Sequence, residues 1–316
     1  MSIQKVVIPM AGLGTRLLPT TRVLPKEMLP LGHYPLIQHV VEEMVAADLR
    51  KVLFITARAK AIIENHFDNN SEVIIYLQQN GRLNDLGDFD YRQRGVEFFY
   101  TRQYVPLGKT KPLGTGEAVA SAESFVDGES FIVAYGDTLI RSEGSPNLVK
   151  RMIDSHLDHG SACTIAVREI SPEMASRYGI VTPSQREADE EDFEITDIVE
   201  KPEATEAPSR FAVSARYLFG PEIFEEIRAT KAVDGEIQLT DAIRGLIRKG
   251  HMVRCVKLKP DETRYDIGNH ESYFKAFIDY ALSDPYCGEA IARYIREKLG
   301  TVRDEMETVK KLRLEA

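Results

Sequence analysis

The chain has 316 residues, of which 43% are hydrophobic and 28% charged, and its formal net charge is −9. This length and composition suit one large α/β domain or a core domain with additions. The acidic balance argues against a nonspecific nucleic-acid-binding protein, which would need a basic face, and no apolar run approaches the ~20 residues that span a bilayer.

Cysteine use and the N-terminus bear on the compartment. Cys163, Cys255 and Cys287 are far apart in the sequence and form no Cys-x-x-Cys pair. This spacing argues against a disulfide scaffold or a zinc ribbon and fits a reducing environment. The first residues enter an apolar run almost at once and lack the pattern of a signal peptide. We therefore expect a cytoplasmic protein with no membrane segment.

Strands and helices are predicted to alternate over the first half of the chain. This alternation is typical of a parallel sheet covered on both faces, with ligands beyond the carboxyl ends of the strands. Apolar runs rich in β-branched residues predict strands at 4–9, 51–56, 95–101 and 130–135, and helical spacing predicts helices at 35–47, 58–67, 70–80 and 115–124.

The pattern changes after about residue 160. The segment from about 270 to 316 is helix-rich and charged, and we expect it to pack on the core or on a second subunit. Strands are predicted at 161–167, 179–182, 195–199, 211–218 and 252–258, and helices at 221–228 and 239–249.

The loop after the first predicted strand has the residues of an anion site. It reads Gly12-Leu13-Gly14-Thr15-Arg16, and Lys26 follows ten residues after the arginine. Small residues let backbone N–H groups close on phosphate oxygens, while arginine and lysine supply positive charge. A dinucleotide-binding fingerprint would need a third glycine where Leu17 stands. It would also need a long helix, which Pro19 and Pro25 prevent.

A second glycine-containing stretch, Gly108-Lys109-Thr110, is similar to the end of a P-loop. The motif requires a glycine where Gln103 stands, and Pro112 blocks the helix that should follow. A P-loop nucleotidase is therefore not expected.

The motifs taken together resemble the sugar-phosphate nucleotidyltransferases. The loop motif Gly12-Leu13-Gly14-Thr15-Arg16-Leu17-Leu18-Pro19 carries this resemblance, and the form Pro25-Lys26-Glu27-Met28-Leu29-Pro30 is most similar to bacterial UTP–glucose-1-phosphate uridylyltransferases. The resemblance spans roughly residues 3–280. Its further motifs are Pro35-Leu36-Ile37-Gln38, Ile63-Glu64-Asn65-His66-Phe67, Tyr178-Gly179-Ile180-Val181, Val199-Glu200-Lys201-Pro202, Glu236-Ile237-Gln238-Leu239-Thr240-Asp241-Ala242-Ile243 and Tyr265-Asp266-Ile267-Gly268-Asn269.

The resemblance implies a Rossmann-like α/β fold, with a mixed, mainly parallel sheet flanked by helices and a helical C-terminal segment. The catalytic domain would be residues 1–268, with a nucleotide-binding part at 1–140 and a sugar-binding part at 141–268. Residues 269–316 would form the helical segment and could contact a second subunit.

The implied reaction transfers uridylyl from UTP to glucose 1-phosphate and gives UDP-glucose and pyrophosphate by a magnesium-dependent single displacement. Such a protein has to align two anions and neutralise the charge that develops between them. The resemblance assigns catalysis to Arg16, Lys26 and Asp137. It assigns nucleotide binding to Ala11, Gly12, Leu13, Gly14, Thr15, Arg16, Lys26, Gln103 and Gly114, with Lys26 near the α-phosphate.

The resemblance also indicates where the metal and the sugar phosphate bind. Asp137 and Asp266 come from separate segments, and two carboxylates with phosphate oxygens and water suit octahedral Mg²⁺. Gly179 would lie close to the glucose, Glu200 would accept hydrogen bonds from its hydroxyls, and Lys201 would bind its phosphate.

The chain departs from the family pattern at several positions. Glu117 stands where close relatives usually have histidine, the loop from 103 to 114 is longer, His33-Tyr34 replaces Asp-Lys, and Ala215 replaces a glycine. These departures leave two alternatives open: a thymidylyltransferase or other hexose-1-phosphate nucleotidyltransferase, and a non-catalytic nucleotide-binding regulatory paralogue. The expected partners are UTP and glucose 1-phosphate, with no nucleic acid and no membrane. The resemblance further implies a homodimer or homotetramer.

Overall fold

A computed structural model of the chain describes residues 2–68, 71–84, 90–108, 112–142, 146–184 and 190–300. Lys109 and Thr110 of the P-loop-like stretch lie outside the described residues, as do residues 301–316 of the C-terminal segment.

Strands and helices largely alternate over the first half of the chain, as predicted, and the four described strands between residues 163 and 219 then follow one another with no α-helix among the described residues between them. The strands are β1 (Lys5–Pro9), β2 (Pro30–Leu31), β3 (Tyr34–Pro35), β4 (Lys51–Thr56), β5 (Glu97–Arg102), β6 (Phe131–Ala134), β7 (Thr138–Ser142), β8 (Cys163–Glu169), β9 (Gly179–Pro183), β10 (Asp192–Glu200), β11 (Phe211–Phe219), β12 (Val253–Lys257) and β13 (Glu262–Asp266). The helices are α1 (Leu36–Ala46), α2 (Ala61–Phe67), α3 (Ser71–Gln79), α4 (Thr115–Ala120), α5 (Glu123–Val126), α6 (Leu148–His159), α7 (Ile223–Ala229), α8 (Leu239–Arg248) and α9 (His270–Leu282). Residues 288–300 are also helical.

Nine of the described strands build the central sheet, in the order β5-β4-β1-β6-β11-β8-β12-β10-β9. The pairings make β10 and β11 run opposite to the other seven strands, so the sheet is mixed and mainly parallel, as predicted. From β1 the chain goes to one side through β4 and β5 and then returns to the other side of β1 with β6. A crevice forms where the strand order reverses in this way, at the carboxyl ends of the strands.

Successive side chains of a strand pack into two different cores, one on each face of the sheet. In β1, Val7 points into a core that includes residues of α4, α7 and α8, whereas Val6 and Ile8 point into a core that includes residues of α1 and α6. Successive side chains of a strand face opposite sides of the sheet, and here both sides are buried. This double burial explains why Val6, Val7 and Ile8 form a continuous apolar run in β1 rather than alternating with polar residues.

The second half of the sheet closes on itself. β9 pairs with β10 and also, through Ile180, with Ala212 of β11. The strands β11, β8, β12, β10 and β9 therefore form a ring. Because Arg216 of β11 pairs with Ala134 of β6, Ala212 lies beyond the carboxyl end of β6. The ring thus brings the start of β9 next to the crevice.

A smaller core joins the loops of the first half to helix α9. It contains Leu17, Leu29 and Leu31 from the first loops, with Ile267 and Ala276 from the end of the chain. A capping box fixes the start of α9, in which the Asn269 side chain accepts a hydrogen bond from the backbone of Ser272 and the Ser272 hydroxyl faces the Asn269 backbone. The C-terminal helix therefore packs on the core, which is one of the two placements expected.

Most predicted elements are present within a few residues of the expected bounds. The predicted helix at 115–124 is interrupted and forms α4 and α5. Four strands and one helix were not predicted: β2, β3, β7, β13 and α6. Over the described ranges, we find no helix whose length and apolar character would let it cross a bilayer.

Ala215 lies at an irregularity in β11, between the residues that pair regularly with β8 on either side. Its φ angle is 57°, in the left-handed region that favours glycine. An L-residue in this conformation costs about 1–2 kcal/mol. The strain explains why the related pattern carries glycine at this position.

We expect Ala215→Gly to stabilise the protein by about 0.5–1 kcal/mol, since relief of the left-handed strain exceeds the extra chain entropy that glycine loses on folding. The thermal midpoint would rise accordingly. Ala212→Gly is the matched control in the same strand, where φ is not positive, and it should lower the midpoint. An equal fall in the thermal midpoint of both variants would contradict the strain at Ala215.

Candidate active site

A cleft of about 380 Å³ lies at the carboxyl ends of β1, β5 and β6. It coincides with the crevice at which the strand order reverses. The lining includes Asp137, which is predicted for catalysis and metal binding, and most residues predicted for nucleotide binding, namely Ala11, Gly12, Leu13, Gly14, Thr15, Lys26, Gln103 and Gly114.

The loop after β1 has the geometry of an anion cradle. Gly14 has a φ angle of 67° and leads into a 3₁₀ helix over Thr15–Leu17. The Thr21 hydroxyl fixes this turn by donating to the Gly14 carbonyl at 2.8 Å. Within the described part of the chain, the backbone N–H groups of Gly12, Leu13 and Gly14 make no hydrogen bond. They remain available to phosphate oxygens.

Lys26 and Asp137 form an ion pair in the cleft. The Lys26 ammonium donates a short hydrogen bond to Asp137 Oδ2. Burial alone would lower the pKa of Lys26, but the charges of Asp137 and Glu27 outweigh it and raise the pKa. Burial alone would raise the pKa of Asp137, but the charge and hydrogen bond of Lys26 outweigh it and lower the pKa. Both groups are therefore ionised at neutral pH.

Below the cleft, a buried ion pair joins three segments of the chain. Lys60 follows β4, and its ammonium donates to both carboxylate oxygens of Glu27 at 2.8 Å and to the Met10 carbonyl. Burial raises the pKa of Glu27 and lowers that of Lys60. All three protons of the ammonium have acceptors, which is the condition under which a buried lysine is tolerated. The pair anchors the loop at Met10 and the short 3₁₀ helix Lys26–Met28, which contains Glu27.

The two predicted metal ligands lie on neighbouring strands. Asp266, at the end of β13, pairs with Thr138 of β7, directly after Asp137. The next residue, Ile267, donates its N–H to the Asp137 carbonyl at 3.0 Å. Over the described ranges, no group of three or more His, Cys, Asp or Glu side chains could hold a metal ion. The two predicted ligands would supply two carboxylates, a donor set that suits Mg²⁺ because that ion keeps water and phosphate oxygens as its other ligands.

Arg16 lies at the rim and does not line the cleft. A Cβ atom built on Gly268 would lie 3.4 Å from Arg16 Nη2 and 3.0 Å from Asp266 Oδ1. Arg16 and Asp266 therefore both lie beside Gly268, and neither is among the residues that line the cleft.

The residues predicted for the sugar phosphate form a cluster beside the cleft. Glu200 pairs with Gly179 across β9 and β10. Thr240 donates to Glu200 Oε2 at 2.7 Å, and Lys201 Nζ lies 3.1 Å from Glu200 Oε1. Tyr135 lines the cleft and lies close enough to Glu200 for the two to interact electrostatically; burial, above all, raises the pKa of Tyr135 to about 12. The cluster and the cleft therefore adjoin.

The part of the predicted nucleotide site near Gln103 is built around two glycines, Gly114 and Gly116, which pack on Ile237. A Cβ atom on Gly114 would lie 2.8 Å from the Ile237 carbonyl oxygen, and one on Gly116 would lie 2.6 Å from Ile237 Cγ2. Gly116 also donates its N–H to the Ile237 carbonyl at 2.9 Å. Close packing thus accounts for both glycines, and Gly114 lines the cleft as well.

Sequence reasoning missed Lys60, Tyr135 and Thr240. Each had a partial signal: Lys60 lies in a polar stretch directly after a buried strand, Tyr135 precedes Gly136-Asp137, and Thr240 is part of a matched motif. Their partners are distant in sequence, so no local pattern identifies the contacts.

The fold and the site define a family. The sequence pattern described as "Nucleotidyl transferase" matches residues 5–283, and the chain belongs to this family. A UTP–glucose-1-phosphate uridylyltransferase of Staphylococcus haemolyticus is 36% identical over 296 residues, which cover 93% of this chain and 98% of that protein.

Two solved structures are similar over most of their length. The UTP-bound UGPase from Acinetobacter baumannii superposes with a TM-score of 0.84 at 33% identity, covering 94% of this chain and 99% of that chain. A UDP-glucose pyrophosphorylase complexed with UDP-glucose gives a TM-score of 0.75 at 33% identity, covering 90% and 100%.

We expect Lys60→Met to destabilise the fold by about 3–5 kcal/mol, because it leaves the buried Glu27 carboxylate without its partner. Thermal and urea unfolding would measure the loss. The double variant Lys60→Met/Glu27→Met should recover most of it, since no unpaired charge remains. Lys275→Met is the control at an exposed i,i+4 pair and should change stability by less than about 0.5 kcal/mol. A loss for Lys60→Met no larger than for this control would contradict the anchoring role.

Proposed function

We propose that the chain transfers uridylyl from UTP to glucose 1-phosphate and releases pyrophosphate. In this reaction an oxygen of the sugar phosphate forms a bond to the α-phosphorus of UTP, and the bond to the β-phosphate oxygen breaks. Membership of the family and the names of relatives that match almost the whole chain support the proposal. The observation that carries it is the ionised Lys26–Asp137 pair, which lines the same cleft as the loop cradle, and Tyr135 in that lining is close to both Asp137 and Glu200.

The first half of the chain would bind the nucleotide. The N–H groups of residues 12–15 hold the β- and γ-phosphates, and Lys26 leaves Asp137 to neutralise the charge that develops at the α-phosphate. Arg16 meets the same phosphates from the rim. Ala11, Gly12, Gln103 and Gly114 surround the base.

The second half of the chain would bind the sugar phosphate. Glu200, already held by Thr240, accepts hydrogen bonds from sugar hydroxyls, and the backbone at Gly179 lies against the ring. Lys201 holds the phosphate so that its oxygen faces the α-phosphorus. We keep the division into residues 1–140 for the nucleotide, 141–268 for the sugar and 269–316 as a helical segment.

Asp137 and Asp266 would hold Mg²⁺ between them. A divalent cation at this place shields the phosphate oxygens and lowers the repulsion between the two anionic substrates. Asp266 ends β13 and Asp137 directly precedes β7, so the pairing of these two strands would hold both carboxylates close to the cation.

We further propose a cytoplasmic enzyme that forms a homodimer or homotetramer. Helix α9 has large apolar side chains that are exposed in the single chain and suit contact with a second copy. They are Phe274, Phe277, Ile278 and Leu282.

We expect pyrophosphate release to be fastest with UTP and glucose 1-phosphate in a panel of nucleoside triphosphates and hexose 1-phosphates. Lys201→Met should raise the KM for glucose 1-phosphate by about 10- to 100-fold, the loss of one charged hydrogen bond, and leave the KM for UTP unchanged. Lys249→Met is the control far from the cleft. A strong preference for dTTP would favour the thymidylyltransferase alternative, and UTP binding without turnover of any pair would favour the regulatory paralogue.

We expect removal of divalent cations with EDTA to abolish turnover and added Mg²⁺ to restore it. Asp137→Asn and Asp266→Asn should each lower kcat by about 10²-fold or more and weaken binding of Mn²⁺ measured by calorimetry. Near-normal turnover of Asp137→Ala at saturating Mg²⁺ would contradict the metal assignment.

A further inference from the structure

The side-chain amide of Gln103 is held by two acceptors at the edge of the cleft. Gln103 follows β5, and its backbone N–H donates to the Thr56 carbonyl at 2.9 Å, which fixes the residue at the end of the sheet. Its Nε2 donates to the Gly114 carbonyl at 2.9 Å and to Glu117 Oε2 at 2.7 Å. An amide nitrogen carries two protons, so both donors of Gln103 are used.

The amide can adopt only this orientation while Glu117 is in place. A rotation by 180° would set the Gln103 carbonyl oxygen against the Gly114 carbonyl and the Glu117 carboxylate. Two acceptors in contact leave both unpaired, which disfavours that state. In the described structure Gln103 Oε1 has no hydrogen-bond partner, so an acceptor is all that this side chain offers to a ligand in the cleft.

Glu117 is carried by a rigid element. It lies in the first turn of α4, whose start is fixed by the hydrogen bond from Gly116 to Ile237. Gly114 and Gly116 pack so closely on Ile237 that neither has room for a Cβ atom. The backbone of Glu117 therefore cannot follow a displaced Gln103 without moving the helix.

We propose that Glu117 is a positioning residue that selects the base through Gln103. With its amide fixed, Gln103 presents an acceptor to the base edge, which matches the N3–H donor of uracil or thymine. Cytosine has an unprotonated acceptor at N3 and is disfavoured. This inference rests on the proposed function, because it concerns the nucleotide of that same cleft. It also gives a physical role to the position at which the chain departs from the family pattern.

The test measures kcat/KM for UTP, dTTP and CTP in Glu117→Ala, a substitution that a helix tolerates well. Once the carboxylate is removed, only the Gly114 carbonyl still opposes rotation of the Gln103 amide, and a hydrogen bond from the rotated NH₂ group to N3 of cytosine can offset that single contact. The preference for UTP over CTP should fall about 10-fold or more. The preference for UTP over dTTP should not change, because both bases carry N3–H. The KM for glucose 1-phosphate should also stay the same.

Two further variants separate positioning from a merely structural role. Glu117→Gln keeps an acceptor toward Gln103 and should retain most of the preference. Glu123→Ala, which removes an exposed carboxylate paired with Arg228 on the neighbouring helix, should leave it unchanged. If Gln103→Leu lowers the preference while Glu117→Ala does not, Gln103 selects the base without Glu117, and the inference is wrong.

Failure of the proposed function would be visible separately. It would show as an absence of turnover by the unmodified protein with every substrate pair. Calorimetric titration with UTP and CTP then measures the same preference without catalysis. A preference for UTP that Glu117→Ala lowers supports the positioning role even in that case, and an equal preference in both proteins overturns it.

Discussion

The nucleotide half of the site depends on one lysine amine that is buried below the cleft. Lys60 connects the loop after β1, the 3₁₀ helix at Glu27 and its own segment after β4. Successive residues of a 3₁₀ helix point about 120° apart, so an inward Glu27 directs Lys26 outward to Asp137. The loop after β1 and Lys26 are thereby held in one geometry, although they are separated in sequence and neither is part of a long helix or strand.

The two proposed parts of the chain meet through backbone hydrogen bonds as well as through side chains, such as the buried ion pair between Arg216 and Glu43. The Ile237 N–H donates to the Leu113 carbonyl at 2.7 Å, and the Ile237 carbonyl accepts from Gly116. The pairing of β7 with β13 brings Asp266 to Asp137. A segment of the part proposed to bind the sugar thus packs against Gly114 and Gly116, and the two proposed metal ligands come one from each part.

The sequence predicted the elements whose burial is uniform. Strands such as β1 and β4 are buried on both faces, so they appear as continuous apolar runs. β7 and β13 were not predicted, because neither is a continuous apolar run and each contains an arginine, Arg141 or Arg264. Among the described strands they pair only with each other, across more than a hundred residues of sequence. Helix α6 was not predicted, although Asn147 at its N-cap and Gly160 at its end are residues typical of helix ends.

For the site, the motifs predicted where Lys26, Asp137 and the Glu200–Lys201 pair come together. They could not predict the buried role of Lys60, because its partner Glu27 is 33 residues away and a buried lysine has the same sequence signature as an exposed one. Glu117 was recognised as unusual, but its contact with Gln103 required the structure.

The ring formed by β11, β8, β12, β10 and β9 leaves the sheet with a single open side. Among the described residues, β5 has a partner only in β4, and it carries Phe99 and Tyr100 on opposite faces, both partly exposed. An unpaired strand with exposed aromatic side chains is a template for intermolecular pairing. Aggregation of partly unfolded chains should therefore begin at β5, while the sugar half, whose strands close on one another, is protected from it.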